Sequence, residues 1–194
     1  MIYSATDSKK IWFTSDYHFD HKNILKFCPN RKFSSVEEMN RAIIDNHNEL
    51  VGENDTVIFQ GDFCFGNIDQ WRQHRSQLNG DFILIRGNHD KFQHNQMRDM
   101  FNGIYDRLEV KIKDEELKDG WQNIICDHYA LRVWDRSHHG TWHTYAHSHG
   151  SLPDDPNSLS CDIGVDCWDM KPVSYEQLKN CMKNKTFKPI DHHR

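Results

Sequence analysis

Short apolar runs, each closed by polar residues, set the pattern of this chain. Ile11-Trp12-Phe13-Thr14 runs into Ser15-Asp16, Thr56-Val57-Ile58-Phe59 into Gly61-Asp62, and Phe82-Ile83-Leu84-Ile85 into Gly87-Asn88-His89-Asp90. Asn123-Ile124-Ile125-Cys126 leads to Asp127-His128, and Trp142 to Ala146 leads to His147-Ser148-His149. Continuous apolar runs of this kind predict strands buried on both faces. Ser35-Val36-Glu37-Glu38 reads as a capping box opening a helix to about Asn48. Asn67 caps a helix from Ile68 to about Leu78, closed by Asn79-Gly80, and Ser174 with Gln177 opens a C-terminal helix to about Asn184. Leu108 to Ile112 alternates apolar and polar residues, which predicts a half-exposed strand, and Gly120 marks a turn into a strand at Trp121. Strand–helix alternation followed by a strand-rich second half predicts an α/β (α+β) domain: two mixed sheets packed together with helices outside.

Composition narrows the class. The chain has 194 residues, the size of one domain over 1–194, with 37% AVILMFWYC, 27% charged residues, six Trp and eleven Phe, too aromatic for a disordered chain. No apolar run approaches the roughly 18 residues of a membrane span, and Met1 to Lys10 lacks the apolar core of a signal peptide. The net charge of -5 disfavours a dedicated duplex-DNA binder. Six cysteines form no CxxC, which argues against a zinc ribbon. Cys28, Cys64 and Cys126 sit in or beside apolar segments and read as buried thiols. A disulfide framework is not expected, and a reducing cytoplasm is. The unusual number is fourteen His, among them His138, His139, His143, His147 and His149 in one stretch.

The chemistry-bearing side chains gather at strand ends, where α/β folds place function: Asp16 and His18, Asp62, Asn88 and His89, His128, and His147 with His149. On an extended segment Asp16-x-His18 places both side chains on one side, and His147-x-His149 does the same. Asp62 has two oxygens and can bridge two cations, while Asn88 offers a neutral carbonyl oxygen. A nitrogen and oxygen donor set suits Mn, Fe, Zn or Ni. Asp90 is expected to cap or brace its loop, and Arg86 to face solvent. His21 and Asn23 either face substrate or lie where a loop turns into a helix. His138, His139 and His143 read as an exposed polar loop, Lys111 to Lys118 as a solvated hairpin, and Leu152 to Pro156 as a surface loop. Gly164 and Asp166 are expected on a closing strand. His192 and His193 are given no role.

Taken in order, Asp16-Tyr17-His18, Gly61-Asp62, Gly87-Asn88-His89-Asp90, His128 and Ala146-His147-Ser148-His149 resemble the calcineurin-like metallophosphoesterase superfamily, whose pattern is DxH, GD, GNHD/E, H and GHxH. The opening Ser15-Asp16-Tyr17-His18-Phe19-Asp20-His21-Lys22-Asn23 looks like that of a small bacterial and phage branch of predicted phosphoesterases. The resemblance implies a four-layer αββα sandwich and two divalent transition-metal ions per chain. By family position one ion is held by Asp16, His18, Asp62 and His149, the other by Asp62, Asn88, His128 and His147. His89 is the non-ligand catalytic residue, and Asn88 and His21 are expected at substrate. Two departures stand out. Ala146 replaces the usual Gly, and Phe65 occupies the position of the Asp that orients the catalytic His in phosphoprotein phosphatases.

The implied activity is hydrolysis of a P–O bond, with metal-bound hydroxide as nucleophile and manganese the first expectation among the metals. A phosphodiester, such as a cyclic or small nucleotide, is the expected substrate. Phosphomonoesterase and nuclease activity are the alternatives on the same fold, and a phosphoesterase-like binding scaffold is the non-enzyme one. Long duplex nucleic acid and membranes are not expected partners.

Overall fold

The structure, a computed structural model, describes residues 1–191; His192 and His193 lie outside the described residues. In chain order the strands are β1 (Ile2–Ala5), β2 (Ile11–Thr14), β3 (Thr56–Phe59), β4 (Asp81–Ile85), β5 (Gly103–Tyr105), β6 (Arg107–Lys113), β7 (Trp121–Asp127), β8 (Trp142–Tyr145), β9 (Ser160–Asp162) and β10 (Val173–Ser174). The helices are α1 (Ile24–Phe27), α2 (Val36–Leu50), α3 (Ile68–Arg75), α4 (His94–Met97) and α5 (Tyr175–Lys183). Two five-stranded mixed sheets result, ordered β10-β2-β3-β4-β5 and β1-β6-β7-β8-β9. In the first, β2, β3, β4 and β5 run parallel and β10 is antiparallel; in the second, only the β6–β7 hairpin is antiparallel. Among the described residues no helix is long and apolar enough to cross a membrane.

The period of two divides the first sheet's side chains between two cores. Val57, Phe59, Phe82 and Leu84 pack beneath the helices with Met39 and Ile43 of α2 and Trp71 of α3. Ile58, Ile83, Ile85, Ile11 and Phe13 point the other way, into the space between the sheets, against Leu108, Val110, Ile112, Ile124 and Trp142. Both faces are buried, hence the unbroken apolar runs. In β6 the alternate residues Glu109 and Lys111 face outward and are half-exposed.

The helices start where their caps demand. Ser35 accepts from the Glu38 N–H, Asn67 and Gln70 close a full capping box, and so do Ser174 and Gln177. α3 stops at Arg75, short of the expected Leu78, where the Arg75 guanidinium takes the Leu78 and Gly80 carbonyls. α5 inserts Tyr175, Leu178 and Met182 into the inter-sheet core. The outer face of the second sheet is covered by the 129–141 segment, including a 3-10 turn at Ser137–His139. Trp134 lies there against His143, with ring centroids 5.1 Å apart.

That packing corrects one expectation. His143 is not in an exposed loop; it is fully buried in β8. Its Nδ1 meets the Ile125 carbonyl at 2.8 Å and its Nε2 accepts from the Leu131 N–H at 3.0 Å, so the ring ties the covering segment to the sheet. His138 and His139 are exposed, as expected.

Beneath α2, His47 is also fully buried. Its Nε2 donates to the Asn79 carbonyl at 2.9 Å and its Nδ1 accepts from the Tyr17 hydroxyl at 2.7 Å, which satisfies the neutral ring. Burial lowers its pKa to about 4 from 6.5. Between those values the unfolded chain binds a proton that the folded chain does not. The stability owed to neutral His47 is therefore complete above about pH 6.5 and is lost as pH falls toward 4. Urea unfolding of metal-free protein across this window should show a shallower loss in His47→Gln than in wild type. Equal slopes would show that His47 takes no part in the linkage.

Candidate metal centre

All the strand-end motifs meet at one edge of the sandwich. The β2–β3 ladder continues past the strands, with Asp16 N–H to Gly61 O, His18 N–H to Asp62 O and Phe19 N–H to Phe63 O, each 3.0 Å. The loop after β8 meets the loop after β7 through Ala146 N–H to His128 O at 3.1 Å. The methyl of Ala146, where the resembled pattern has Gly, is fully buried in the inter-sheet core.

The expected extended DxH and HxH geometry is not what forms. Asp16, His18, Asp62, His147 and His149 all take left-handed backbone, with φ of 57°, 51°, 57°, 68° and 48°. Non-glycine residues rarely hold this region, and runs of them collect at functional sites. The turn after Asp16 sends Tyr17 into the helix-side core and keeps Asp16 and His18 at the edge. Phe19 and Phe63 are likewise fully buried, and the rings of Tyr17, Phe19, Phe59 and Phe63 meet edge to face behind the site.

The expected ligands fall into two groups whose donor atoms lie within 4.8 Å of one another: Asp16, His18 and His149, and Asp62, His128 and His147. His147 and His149, two residues apart, thus serve different groups. Asp62 stands between them. Its Oδ2 is 3.5 Å from His18 Nε2 and 3.6 Å from His128 Nε2, while its Oδ1 accepts from the His89 N–H at 2.9 Å. Asn88 Oδ1 lies 3.2 Å from His128 Nε2. The imidazole Nδ1 of His128 donates to the Gln60 carbonyl at 2.7 Å, which leaves Nε2 as the lone-pair nitrogen facing Asp62.

Two atoms in this arrangement are buried and have no hydrogen-bond partner, Asp16 Oδ1 and His18 Nε2. Buried polar atoms left without partners are costly unless something else occupies them. With a nitrogen and oxygen donor set, the residues fit a divalent cation. Charge distribution agrees. Burial raises Asp16 well above the usual carboxylate range, helped by the nearby Asp62 charge. Burial, with Arg31 and His149 close by, holds His18 well below its ordinary value. Burial alone would lower His149 too, yet its hydrogen bond to Asp166 and the Asp16 carboxylate raise it to about 10. Cation uptake at such groups displaces protons.

The backbone is held to match. Asp90 accepts from the N–H groups of Asp62, Phe63 and Gly87 at 2.9, 3.1 and 2.8 Å, bracing the loop as expected. Gly61 has φ +102°, and a Cβ there would lie 2.5 Å from Gly87 N and 2.8 Å from His128 Nδ1. Gly87 has no room for a Cβ either, because the Asp62 carboxylate occupies that space. Arg86 turns away to Asp106 at 2.6 Å.

His21, Phe65 and His89 form the aromatic side of the cleft. His21 stacks on Phe65 with centroids 3.6 Å apart and an 8° tilt, and Phe65 lies 4.5 Å from His89. A flat ring therefore stands where the phosphoprotein phosphatases have a carboxylate. Asn23 begins α1, the helical alternative of the two expected for it. The cleft measures about 790 Å³ and runs from His18, Asp62 and His89 to Phe27 and Pro29.

The supporting roles of three residues escaped the sequence reading. Asp166 is not on a closing strand but in a 3-10 turn at Val165–Cys167. Its Oδ2 meets His149 Nδ1 at 2.8 Å, and both its oxygens take the Arg31 fork, at 2.7 and 2.6 Å. Arg31 also donates to the Asp16 and Tyr17 carbonyls. Gln60, fully buried, donates to the carbonyls of Asp127 and Thr144, each at 2.9 Å, and accepts from the Thr144 hydroxyl. Asp166→Asn removes the partner of a buried guanidinium and the orienter of His149. It should cost about 3–5 kcal/mol of stability and roughly 10–100-fold in metal affinity. Calorimetric titration with Mn²⁺ and urea unfolding check both; unchanged affinity would show that His149 needs no orienter.

The comparisons with known proteins agree with this geometry. The family model for calcineurin-like phosphoesterases matches residues 9–175. An uncharacterized protein of Methanocaldococcus jannaschii, MJ1445, is 32% identical over 191 residues, covering 94% of this chain and 97% of that one. A crystal structure of AQ665 from Aquifex aeolicus, a protein of unknown function, shares the fold with a TM-score of 0.63 and 22% identity, over 88% of this chain and 98% of that one. The chain belongs to the calcineurin-like phosphoesterases, metal-dependent hydrolases of phosphate esters.

Proposed function

We propose that this phosphoesterase hydrolyses a phosphodiester of small nucleotide type at a dinuclear centre, with manganese as the first-choice metal and a cytoplasmic setting. The observation that carries the reading is the place of Asp62 Oδ2, at nearly equal distance from His18 Nε2 and His128 Nε2. A carboxylate oxygen between two imidazoles of separate ligand groups suits a bridge. Asp16, His18 and His149 would complete one side, and Asn88, His128 and His147 the other. Two divalent ions, when bound, supply Lewis acidity toward the phosphoryl oxygens and acidify water.

The chain's own groups do the rest. The His89 N–H fixes the Asp62 carboxylate, so the residue that faces substrate and the bridging residue are placed together. The His89 ring belongs to neither ligand group. It is free to hydrogen-bond a phosphoryl or leaving-group oxygen. With Phe65 rather than a carboxylate beside it, its main contribution is to stabilise charge on the phosphoryl oxygens. Phe27, 69% exposed, and Phe65, 42% exposed, line the cleft beside these polar groups and suit a flat organic group such as a nucleobase. The net charge of -5 disfavours long duplex nucleic acid as substrate.

The test is a metal-replete panel of an aryl diester, an aryl monoester, 2′,3′- and 3′,5′-cyclic nucleotides, and single-stranded DNA and RNA. Diester turnover should lead. Preference for the monoester or for polynucleotides would replace the reading, and inactivity throughout would favour a binding scaffold. Elemental analysis under saturating Mn²⁺ should give two ions per chain. Asp62→Asn should lose at least one ion and nearly all turnover with the fold retained, so full turnover would mean that the site is misplaced. His89→Ala should keep both ions while turnover falls roughly 10²–10⁴-fold. For charge stabilisation the losses on alkyl and aryl esters should be similar. A markedly larger loss on alkyl esters would make His89 a proton donor to the leaving group, and loss of metal would make it a ligand.

A further inference from the structure

Away from the metal centre, two thiols face each other between β9 and α5. Cys161 of β9 is buried, Cys181 of α5 is half-buried, and their sulfurs are 3.3 Å apart. A disulfide needs about 2.04 Å, so the gap closes by roughly 1.3 Å. α5 packs on β2, β9 and β10 and brings Cys181 to β9 as part of the inter-sheet core. The two thiols are chemically unequal. Hydrogen bonding with Cys161, partly opposed by burial, and the nearby Lys185 ammonium lower Cys181, while the same contact and burial raise Cys161. By contrast Cys64, Cys126 and Cys167 are pushed up to about 12, chiefly by burial. Lys185 is held in place by the Ser160 carbonyl at 2.6 Å and by Asp154, beside β9. A half-buried thiol with thiolate character in contact with a buried one is an arrangement that can oxidise reversibly.

We propose that Cys181 and Cys161 are a peroxide-responsive thiol pair that closes a reversible disulfide between α5 and β9. The Cys181 thiolate attacks one peroxide oxygen, the O–O bond breaks, and the leaving hydroxide takes a proton to become water. The sulfenic acid so formed is attacked by the Cys161 sulfur, which loses its proton as the S–S bond forms and a second water departs. Two thiols and one hydrogen peroxide give one disulfide and two waters. A thiol reductant returns the two electrons. The closed loop contains β10 and the Asp166 turn, so the bond staples the segment that carries the His149 orienter. Nothing in this chemistry requires the metal or the phosphoesterase reaction.

Purified full-length protein treated with hydrogen peroxide, alkylated and digested without reduction should yield one cross-linked peptide pair, Cys161–Cys181. Dithiothreitol should dissolve it. Cys181→Ser should abolish it, and Cys161→Ser should leave a Cys181 sulfenic acid that dimedone traps. The wild-type peptide map decides even where a variant folds poorly. Both peptides recovered unlinked while peroxide oxidises Cys167, or a link between separate chains, would overturn the proposal.

Discussion

One buried amide holds the two halves of this molecule in register. Gln60 follows β3 in the first sheet, and its side chain spends every hydrogen-bonding atom on the ends of β7 and β8 in the second. Apolar packing between sheets is non-directional and tolerates sliding. Hydrogen bonds do not, and a buried amide left unpaired is costly. The Gln60 backbone carbonyl then fixes the tautomer of His128, so the group that aligns the sheets also aims the imidazole of a candidate ligand at the other sheet's carboxylate. His147 N–H on Asp16 Oδ2, at 3.0 Å, repeats the crossing a few residues away.

On that joint rests a site made largely of strained backbone and buried charge. Five left-handed residues persist because the loops are over-determined: Asp90 gathers three N–H groups, and Gly61 and Gly87 leave the Asp62 carboxylate its space. The buried Arg31–Asp166 ion pair lies behind the centre, away from the cleft. The guanidinium donates to the Asp16 and Tyr17 carbonyls, and the Asp166 carboxylate it holds meets the imidazole of His149. The guanidinium therefore takes Asp166, one layer behind, and leaves the carboxylates of Asp16 and Asp62 to the candidate ligand groups.

Much of this was legible in the sequence for a physical reason. The strands of the first sheet are buried on both faces, so their apolar runs are unbroken and their ends sharp; the polar residues that follow them are the site. Caps at Ser35, Asn67 and Ser174 announced their helices. The short β1, β5, β9 and β10 did not announce themselves, because none of IYSA, GIY, SCD and VS is an unbroken apolar run like those of β2 and β3. His143 misled because a histidine satisfied within a sheet has the same letter as one in a loop. Arg31, Asp166 and Gln60 gave no signal of their supporting roles: Arg31 meets Asp166 across 135 residues and Gln60 meets Thr144 across 84, in a geometry that only the packed sheets create. The left-handed turns were hidden for a related reason, since nothing in Asp-x-His distinguishes an extended segment from a coiled one.

The segment Asp16-Tyr17-His18-Phe19 gives alternate residues to two different environments, the carboxylate and imidazole to the cleft and the rings to the core. Reshaping the aromatic cluster would therefore tilt the donors above it, and the chemistry is tied to the packing residue by residue. The rim has no such tie. Phe27, Phe65 and Ser151 line the cleft without a ligand beside them in the chain. Substitutions there leave the donors where they are, so this scaffold can change what it cleaves far more readily than how it cleaves.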